Sequence, residues 1–437
     1  MSYFILTNMT VCHIILFTGT PENIREMKTM KITKKMLSVL LCGAMALSMV
    51  GCGNTDESEK KTTTKEETTT TTVATTKQEE VTTTTEPNIP KEPINLDDGI
   101  LVIENNVVIS CSKSAFGVIE VPDGVAEIGD DAFDNCTNIT SVKLPDSLIV
   151  IGESAFDERK SLKSIVIPKG VTTIEDGAFL ECRELESITI PDTVTFIGKN
   201  VFADTPWYDN YDGDMIIEGD GILIACKGNK SEYVIPNGVK RINYSAFREK
   251  TFLTSITIPD SVTYIDDWAF SYCRKLTDIT IPDSVTYIGN SAFSNCSELN
   301  SINLSDSIST LGESAFAQCS GIKNINIPEG VTSINNHTFS GCKNLTEITI
   351  PRSVTSIGNE AFEECIGFIT ISIPDSVTSI GQRAFADCKN LRSVIIPDSV
   401  TTIERVAFNK CENINATYKG KTYTYDNIDE LYTAING

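Results

Sequence analysis

The chain has 437 residues, a formal net charge of −23 at pH 7 and 41% apolar residues. Most of the negative charge lies after residue 98, and no basic stripe accompanies it. This balance argues against nucleic-acid binding, whose affinity comes from neutralised phosphates. The apolar content is sufficient for a globular core, and we interpret the acidic surface as one that keeps the protein soluble.

The N-terminal segment, residues 1–51, has the composition of an export signal. The basic stretch Met30–Lys35 precedes an apolar run at 36–50, which is shorter than the roughly 20 residues that span a bilayer and is typical of a signal peptide. A small residue then precedes Cys52, which resembles the lipobox of bacterial lipoproteins and implies that Cys52 becomes the lipidated first residue of the mature chain. An ordinary signal peptide and an uncleaved anchor are the alternatives. The translation start stays open between Met1, Met27 and Met30.

Residues 52–98 form a low-complexity segment. Threonine blocks at 62–64, 68–72 and 82–85 are interleaved with lysine and glutamate, and large apolar side chains are almost absent. Such a segment cannot bury enough apolar surface to offset its ordering entropy. We therefore predict a disordered tether that lifts the folded part off the membrane, with hydroxyls that are candidate acceptors for O-linked sugar.

The remainder of the chain repeats itself every 23 residues, apart from one longer step between 202 and 247. A period of 20 to 50 residues is typical of stacked coils. An Ala-Phe pair marks the repeat in most coils, with its aromatic ring at Phe133, Phe156, Phe179, Phe202, Phe247, Phe270, Phe293, Phe316, Phe339, Phe362, Phe385 and Phe408. A cysteine follows three residues later at Cys136, Cys182, Cys273, Cys296, Cys319, Cys342, Cys365, Cys388 and Cys411.

One coil, residues 344–366, shows how the repeat is expected to fold. Leu345, Ile348 and Ile350 follow an L-x-x-I-x-I pattern, and the alternation of the last two predicts a half-buried strand. Pro351 ends this strand because proline lacks an amide donor. A second short extended run covers 354–357. Gly358 follows, and we expect it to adopt a positive φ in a turn. The apolar side chains of one coil cannot bury each other, so neighbouring coils must stack like onto like.

These motifs resemble the BspA-type leucine-rich repeat family over residues 120–412. The resemblance implies a β-rich repeat solenoid that is right-handed, with a parallel sheet on its concave face. It also implies a cell-surface protein that binds host or neighbouring macromolecules, without catalytic residues or cofactors shared by the family. We therefore expect a binding scaffold and not an enzyme.

Two departures from the period set the predicted domain boundaries. Residues 203–246 form an insertion with a hairpin, Met215–Glu218 and Ile222–Cys226. Its part 224–239 resembles 109–125 at the start of the array. We infer that 99–125 is a hairpin cap and that the insertion restarts the array within a solenoid spanning 99–412. Residues 413–437 alternate about Gly420 and end in a short amphipathic helix, with Asn427 as its expected N-cap. This segment is the predicted C-terminal cap.

The regular cysteines are expected to be small buried hydrophobic residues. Equivalent residues on stacked coils lie about 4.8 Å apart with parallel side chains, whereas a disulfide needs Cβ atoms about 3.8 Å apart that converge. Three coils replace the cysteine, at Arg159, Thr205 and Lys250. Since a long cation can extend to solvent, we expect these coils to be looser.

No recognisable catalytic or metal motif accompanies the repeat. His337 occupies a turn position, where a lone histidine without a positioned partner is typical of an exposed surface residue. No metal site is predicted, because the cysteines lack zinc spacing. Calcium at an acidic cluster in the insertion stays an alternative to plain hairpin turns, since its spacing does not match a calcium loop; the cluster comprises Asp209, Asp212, Asp214 and Glu218.

Aromatic residues concentrate between 196 and 287, where the period also breaks. Interface hot spots favour tryptophan and tyrosine, so the candidate partner-binding residues are Phe196, Trp207, Tyr208, Tyr211, Tyr264, Trp268 and Tyr287. Phe196, Tyr264 and Tyr287 share one outward position in the second strand. The alternative is that Trp207 and the nearby tyrosines pack the insertion hairpin.

The expected function is that of a surface scaffold or adhesin that recognises an extracellular protein or glycan. We expect a monomer on the outer face of the cytoplasmic membrane or at the cell surface. It would contact the membrane only through its lipid anchor and would not bind nucleic acid. The alternative function is a passive spacer of the cell envelope without a specific ligand.

Overall fold

The computed structural model describes residues 99–437, so Cys52 and the segments predicted for 1–98 lie outside the described residues. Within 99–437 the chain winds into a solenoid of 23-residue coils, as expected from the repeat. No helix in this part is long and apolar enough to cross a membrane.

Each regular coil contributes one strand to each of two rows. The array opens with an antiparallel hairpin, β1 (Leu101–Glu104) and β2 (Val107–Cys111). The first-strand row then comprises β3 (Phe116–Glu120), β5 (Asn138–Lys143), β7 (Ser164–Val166), β9 (Ser187–Thr189), β13 (Glu232–Val234), β15 (Ser255–Thr257), β17 (Asp278–Thr280), β19 (Ser301–Asn303), β21 (Asn324–Asn326), β23 (Glu347–Thr349), β25 (Thr370–Ser372), β27 (Ser393–Ile396) and β29 (Asn415–Tyr418).

The second-strand row consists of two-residue strands that pair in parallel from one coil to the next. Its members are β4 (Glu127–Ile128), β6 (Val150–Ile151), β8 (Thr173–Ile174), β10 (Phe196–Ile197), β14 (Arg241–Ile242), β16 (Tyr264–Ile265), β18 (Tyr287–Ile288), β20 (Thr310–Leu311), β22 (Ser333–Ile334), β24 (Ser356–Ile357), β26 (Ser379–Ile380) and β28 (Thr402–Ile403). The insertion adds the helix α1 (Pro206–Asp209) and the antiparallel hairpin β11 (Met215–Glu218) and β12 (Ile222–Cys226).

The repeated phenylalanines form two stacks inside the solenoid. Within each stack the ring centroids of neighbours lie between 4.5 Å and 6.0 Å apart. The stacks are separated at the insertion, where Phe202 meets Trp207 edge-on and Phe247 meets Tyr233 in the same way. Residues of β12 are divided between the two cores, so this strand forms the wall between them.

The turns of each coil use left-handed residues at different positions from those expected. Glu360 has φ +54° and Glu364 has φ +57°, whereas Gly358 is absent from the left-handed region, so the expectation for Gly358 is wrong. A Cβ atom at Gly358 would lie 2.7 Å from the backbone nitrogen of Asn336. Glycine is therefore required there by the close approach of the neighbouring coil, and not by its own φ.

The free cysteines of the array are buried, as expected. Each thiol donates to the carbonyl of the phenylalanine in the preceding coil, as Cys273 does to Phe247 over 3.1 Å. Burial raises the pKa of the Cys319, Cys342 and Cys365 thiols well above their usual range, so these side chains stay protonated donors.

One array cysteine departs from this pattern, because Cys136 forms a disulfide with Cys111. The stacking argument did not apply to this pair, since Cys111 belongs to the hairpin strand β2 and not to a regular coil. At the second hairpin, Cys226 takes the place of Cys111 and Lys250 takes the place of Cys136. Cys226 is accordingly a free thiol.

Two of the three residues that replace the cysteine, Arg159 and Thr205, are buried. Arg159 is only 3% exposed, and its Nη1 donates to the carbonyl of Phe133 over 2.8 Å, as a cysteine thiol would. Thr205 caps α1 by accepting from the amide of Tyr208. The expectation that a cation here reaches solvent is therefore wrong for Arg159, because the phenylalanine carbonyl beneath it offers a buried acceptor.

The C-terminal cap follows the sequence prediction, with β30 (Lys421–Thr424), a 3₁₀ turn (Tyr425–Asn427) and the helix α2 (Ile428–Asn436). Asn427 does not cap α2 with its side chain, and its Oδ1 accepts instead from the amide of Thr424 over 2.7 Å. The cap also replaces a missing coil. The hydroxyl of Tyr432 accepts from the amide of Phe408, and the side chain of Asn436 bonds both backbone groups of Ile403.

We predict that Tyr432→Phe destabilises the last coil by about 1–3 kcal/mol, because it leaves the buried amide of Phe408 without a partner. Hydrogen exchange should quicken at Phe408 and not at Phe316, since coils contact only their neighbours. Tyr425→Phe, in the same cap, is the matched control. Equal exchange at Phe408 in the two variants would contradict the role of the hydroxyl.

We also predict that Val406→Asn stabilises the protein by about 1 kcal/mol, because a β-branched residue is strained in the left-handed region and asparagine tolerates it. Val406 has φ +60° and is 39% exposed, so little burial is lost. Thermal unfolding provides the measurement, and Val166→Asn on an ordinary strand provides the control. A lower melting temperature for Val406→Asn than for wild type would refute this explanation.

Candidate functional site

The second-strand row changes character beside the insertion. Its outward position holds Phe196, Arg241, Tyr264 and Tyr287 in successive coils, whereas later coils have serine or threonine there. Phe196 and Tyr264 are 36% and 41% exposed, and Tyr287 is half-buried. The three predicted aromatic residues therefore lie on one surface, with an arginine between them that the sequence analysis did not single out.

Arg241 is the centre of this surface. Its guanidinium donates to Asp266 twice, from Nε to Oδ2 over 2.5 Å and from Nη2 to Oδ1 over 2.9 Å. Its Cζ lies 5.2 Å from the ring centroid of Phe196 and 4.8 Å from that of Tyr264. The bidentate pair fixes the guanidinium plane, and the cation is then attracted to both aromatic faces.

A second ion pair connects the coils on either side of the insertion. The Nζ of Lys199 lies 3.1 Å from Oδ2 of Asp267 and 5.6 Å from the ring centroid of Tyr244. Oδ1 of Asp267 accepts from the backbone amide of Asn290. The Asp267 carboxylate is therefore fixed by a hydrogen bond from the next coil, and it forms an ion pair with a lysine on the other side of the insertion.

These residues enclose a cleft of about 240 Å³, which we call the aromatic cleft. Burial raises the pKa of the Asp266 carboxyl, and the bond to Arg241 acts in the opposite direction. Burial also raises the pKa of Tyr287, whose hydroxyl therefore remains a hydrogen-bond donor. The lining residues are Asp176, Phe196, Ile197, Gly198, Lys199, Arg241, Asn243, Tyr244, Tyr264, Asp266, Asp267 and Tyr287.

The other four aromatic candidates lie elsewhere on the insertion and its neighbours. Trp207 and Tyr211 pack against the first core, which favours the alternative that they hold the hairpin in place. Tyr208 lies under Lys227, whose Nζ is 4.0 Å from its ring centroid. Trp268 has φ +61° and lies beside Arg248. The structure therefore brings only Phe196, Tyr264 and Tyr287 into one cleft.

The acidic residues of the insertion do not converge. Asp214 pairs with Lys230, Asp209 lies near Lys227, and Glu218 is half-buried, which raises the pKa of its carboxyl. Among residues 99–437 no group of three or more His, Cys, Asp or Glu side chains could hold a metal ion. These acids thus have separate surroundings, and none of them lines the aromatic cleft.

Comparison with known families decides the identity of the fold. The model of the BspA type leucine-rich repeat region matches residues 89–208, 225–346 and 309–427. The chain belongs to this family. No curated protein matches the sequence.

Several solved structures of bacterial repeat proteins are similar to this chain. A leucine rich cell surface protein of Faecalibacterium prausnitzii is 27% identical, with 78% of this chain and 98% of that chain covered and a TM-score of 0.40. A leucine-rich repeat protein of Bacteroides ovatus is 28% identical over 71% and 90%, with a TM-score of 0.34. One from Eubacterium ventriosum is 25% identical over 62% and 82%, with a TM-score of 0.40.

Two of the cleft residues that the sequence analysis missed differ from the residues at the same position in other BspA-type coils. Arg241 occupies the same repeat position as Phe196 and Tyr264, and Asp266 stands where Gly289 and Gly358 stand in other coils. A position-by-position alignment of the coils would have found both. Lys199 and Asp267 are harder to find, because their contact spans the insertion.

Proposed function

We propose that this protein is a cell-surface scaffold that recognises an extracellular protein or glycan through the aromatic cleft. The observation that carries the proposal is the row of Phe196, Arg241, Tyr264 and Tyr287, which is rigidly paired and partly exposed. Ligand sites are typically concave, largely apolar and furnished with a few placed polar groups. The aromatic cleft has this composition, whereas the serine and threonine of later coils offer a flat polar face.

The ion pairs around the cleft support binding without large rearrangement. Arg241 and Asp266 are 20% and 13% exposed in their side chains, so the arginine is held before a partner arrives. Association costs less when side chains are already ordered. The aromatic faces of Phe196 and Tyr264 would contribute contact area at a low entropic cost, since each has only two side-chain torsions.

The location and organisation of the protein are part of the same proposal. Residues 1–51 would be a signal segment, 52–98 a tether, 99–412 the solenoid and 413–437 its cap. Cys52 would carry the lipid that anchors the chain to the outer face of the membrane, and the solenoid would act as a monomer. Membership of a repeat family whose solved neighbours include a cell surface protein supports the surface location within this proposal.

We predict that replacing Phe196, Tyr264 and Tyr287 together with serine weakens ligand binding by about fivefold or more, because truncating a hot-spot side chain costs about 1 kcal/mol or more. A glycan array and a panel of matrix proteins, probed with the full chain, would first identify the ligand. Affinity for it would then be measured for wild type and variant.

The matched control for this variant replaces three exposed apolar residues of the first-strand row, Val166, Val234 and Ile395, with serine. It should keep full affinity. A folded aromatic variant with unchanged affinity, or a weakened control, would move the site to the first-strand row. A wild-type chain without any saturable ligand would favour the passive spacer.

Lipid attachment is predicted at Cys52. Metabolic labelling with a palmitate analogue should mark the wild-type chain and leave the Cys52→Ala variant unlabelled. The mature wild-type protein should begin at Cys52 by mass spectrometry. Label that persists in Cys52→Ala would rule out this anchor.

A further inference from the structure

The aromatic cleft continues into two further clefts along the insertion. A middle cleft of about 70 Å³ shares Gly198, Asn243 and Tyr244 with the aromatic cleft. A third cleft of about 260 Å³ shares Tyr208 and Ser245 with the middle one. The three clefts therefore lie side by side along the insertion.

The third cleft, which we call the basic cleft, has an unusual charge for this protein. Three of its eight lining residues are cations, and none is a carboxylate, although the chain carries a net charge of −23. A local concentration of one charge within a cleft focuses the electrostatic field there. The lining residues are Tyr208, Ala225, Cys226, Lys227, Ser245, Ala246, Arg248 and Lys250.

The acids nearest to these cations neutralise them poorly. The Nζ of Lys227 is 4.0 Å from Oδ1 of Asp209, whose side chain is 60% exposed. Arg248 lies 3.4 Å from Glu249, whose side chain is 65% exposed. Because these carboxylates are largely exposed, solvent and salt screen their attraction to the cations.

Lys250 has a different kind of partner. Its Nζ donates to the backbone carbonyl of Gly228 over 2.9 Å. Asp214, which also lies nearby, is already paired with Lys230. The cleft thus retains positive charge that the described residues do not cancel.

Two further observations fit an anion at this place. Burial lowers the pKa of the Lys227 ammonium, and the like charge of Lys250 lowers it further against the pull of Asp209. The Oγ of Ser245 is buried and has no hydrogen-bond partner among the described residues. A bound oxyanion would relieve the repulsion between Lys227 and Lys250. After rotation of its side chain toward the anion, the hydroxyl of Ser245 would have an acceptor.

We propose that the basic cleft binds the carboxylate or sulfate of an acidic glycan whose sugar rings occupy the aromatic cleft. This inference rests on the proposed function and adds its ligand class. A sugar ring has an apolar face and a rim of hydroxyls, which suit aromatic faces bordered by Asp266, Asp267 and Asn243. The net negative charge of the chain repels polyanions elsewhere, so the anionic group is directed to Lys227, Arg248 and Lys250.

The anion site is tested first with inorganic sulfate. The lysines of the full chain are reductively methylated, and their signals are followed by NMR as sodium sulfate replaces sodium chloride at constant ionic strength. Saturable shifts should appear at Lys227 and Lys250 and not at the exposed Lys169. Shifts at Lys227 and Lys250 that match those of Lys169 would overturn the site.

The source of the anion is tested with a tetramer of galacturonic acid, its methyl ester, an aspartate tetrapeptide and inorganic sulfate. The acid tetramer should bind about tenfold tighter than its ester, as expected for charge-assisted contacts. Lys227→Met and Lys250→Met should remove this difference, and Lys169→Met should preserve it. A tetramer bound no tighter than sulfate, or than the peptide, would overturn the glycan assignment.

The variant with serine at Phe196, Tyr264 and Tyr287 distinguishes the proposed function from the proposed anion site. Loss of tetramer binding with sulfate shifts intact would confirm that the clefts act together. Unchanged tetramer binding in that variant would contradict the proposed function. Equal binding of acid and ester, with both weakened in the variant, would contradict the anion subsite alone.

Discussion

The structure depends on hydrogen bonds that no coil can make by itself. The amide of Phe293 donates to the carbonyl of Ala315 in the next coil over 2.8 Å, and Phe316 donates likewise to Thr338. The same coil also donates backward, from the amide of Gly289 to the carbonyl of Ile265, so each coil exchanges donors and acceptors with both neighbours. Since a buried amide without a partner is costly, an array of this kind must end in a structure that imitates a coil. Tyr432 and Asn436 do so at the C-terminal end, where they complete the bonds of the last coil.

Distinctive side chains accumulate beside the insertion. Strand β12 lies between a coil that ends and a coil that begins, and its side chains are divided between two cores. The close-approach glycine becomes Asp266, and the position that holds Asp176 and Asp267 in other coils becomes Lys199 and then Tyr244. These side chains change although the backbone contact persists, since the amide of Asp266 donates to the carbonyl of Ile242 just as that of Gly289 donates to Ile265.

The period, the strand positions and both hairpins could be predicted because they follow from apolar spacing and turn residues that act within one coil. The role of Gly358 could not, since its cause is the backbone of the preceding coil, which packs against it. The prediction for Arg159 failed for a related reason. Its charge suggested an exposed side chain, but its guanidinium donates to the buried carbonyl of Phe133 in the preceding coil. The disulfide of Cys111 and Cys136 required knowledge of how the hairpin faces the first coil. Phe196, Tyr264 and Tyr287 were found from aromatic clustering and repeat position, whereas the pair of Lys199 and Asp267 depends on a contact across the insertion.

Rigidity links the scaffold to recognition. A partner of this surface would meet Arg241 already aligned by Asp266, and Lys199 already drawn across the insertion by Asp267. These pairs lie on stacked coils that cannot move independently without breaking the bonds between coils. The conformational entropy of these side chains is therefore lost during folding and not during binding, where such a loss lowers the affinity of flexible surfaces. Within residues 99–437 such a solenoid would gain specificity where its regularity is interrupted, while its regular coils hold that place in a fixed geometry.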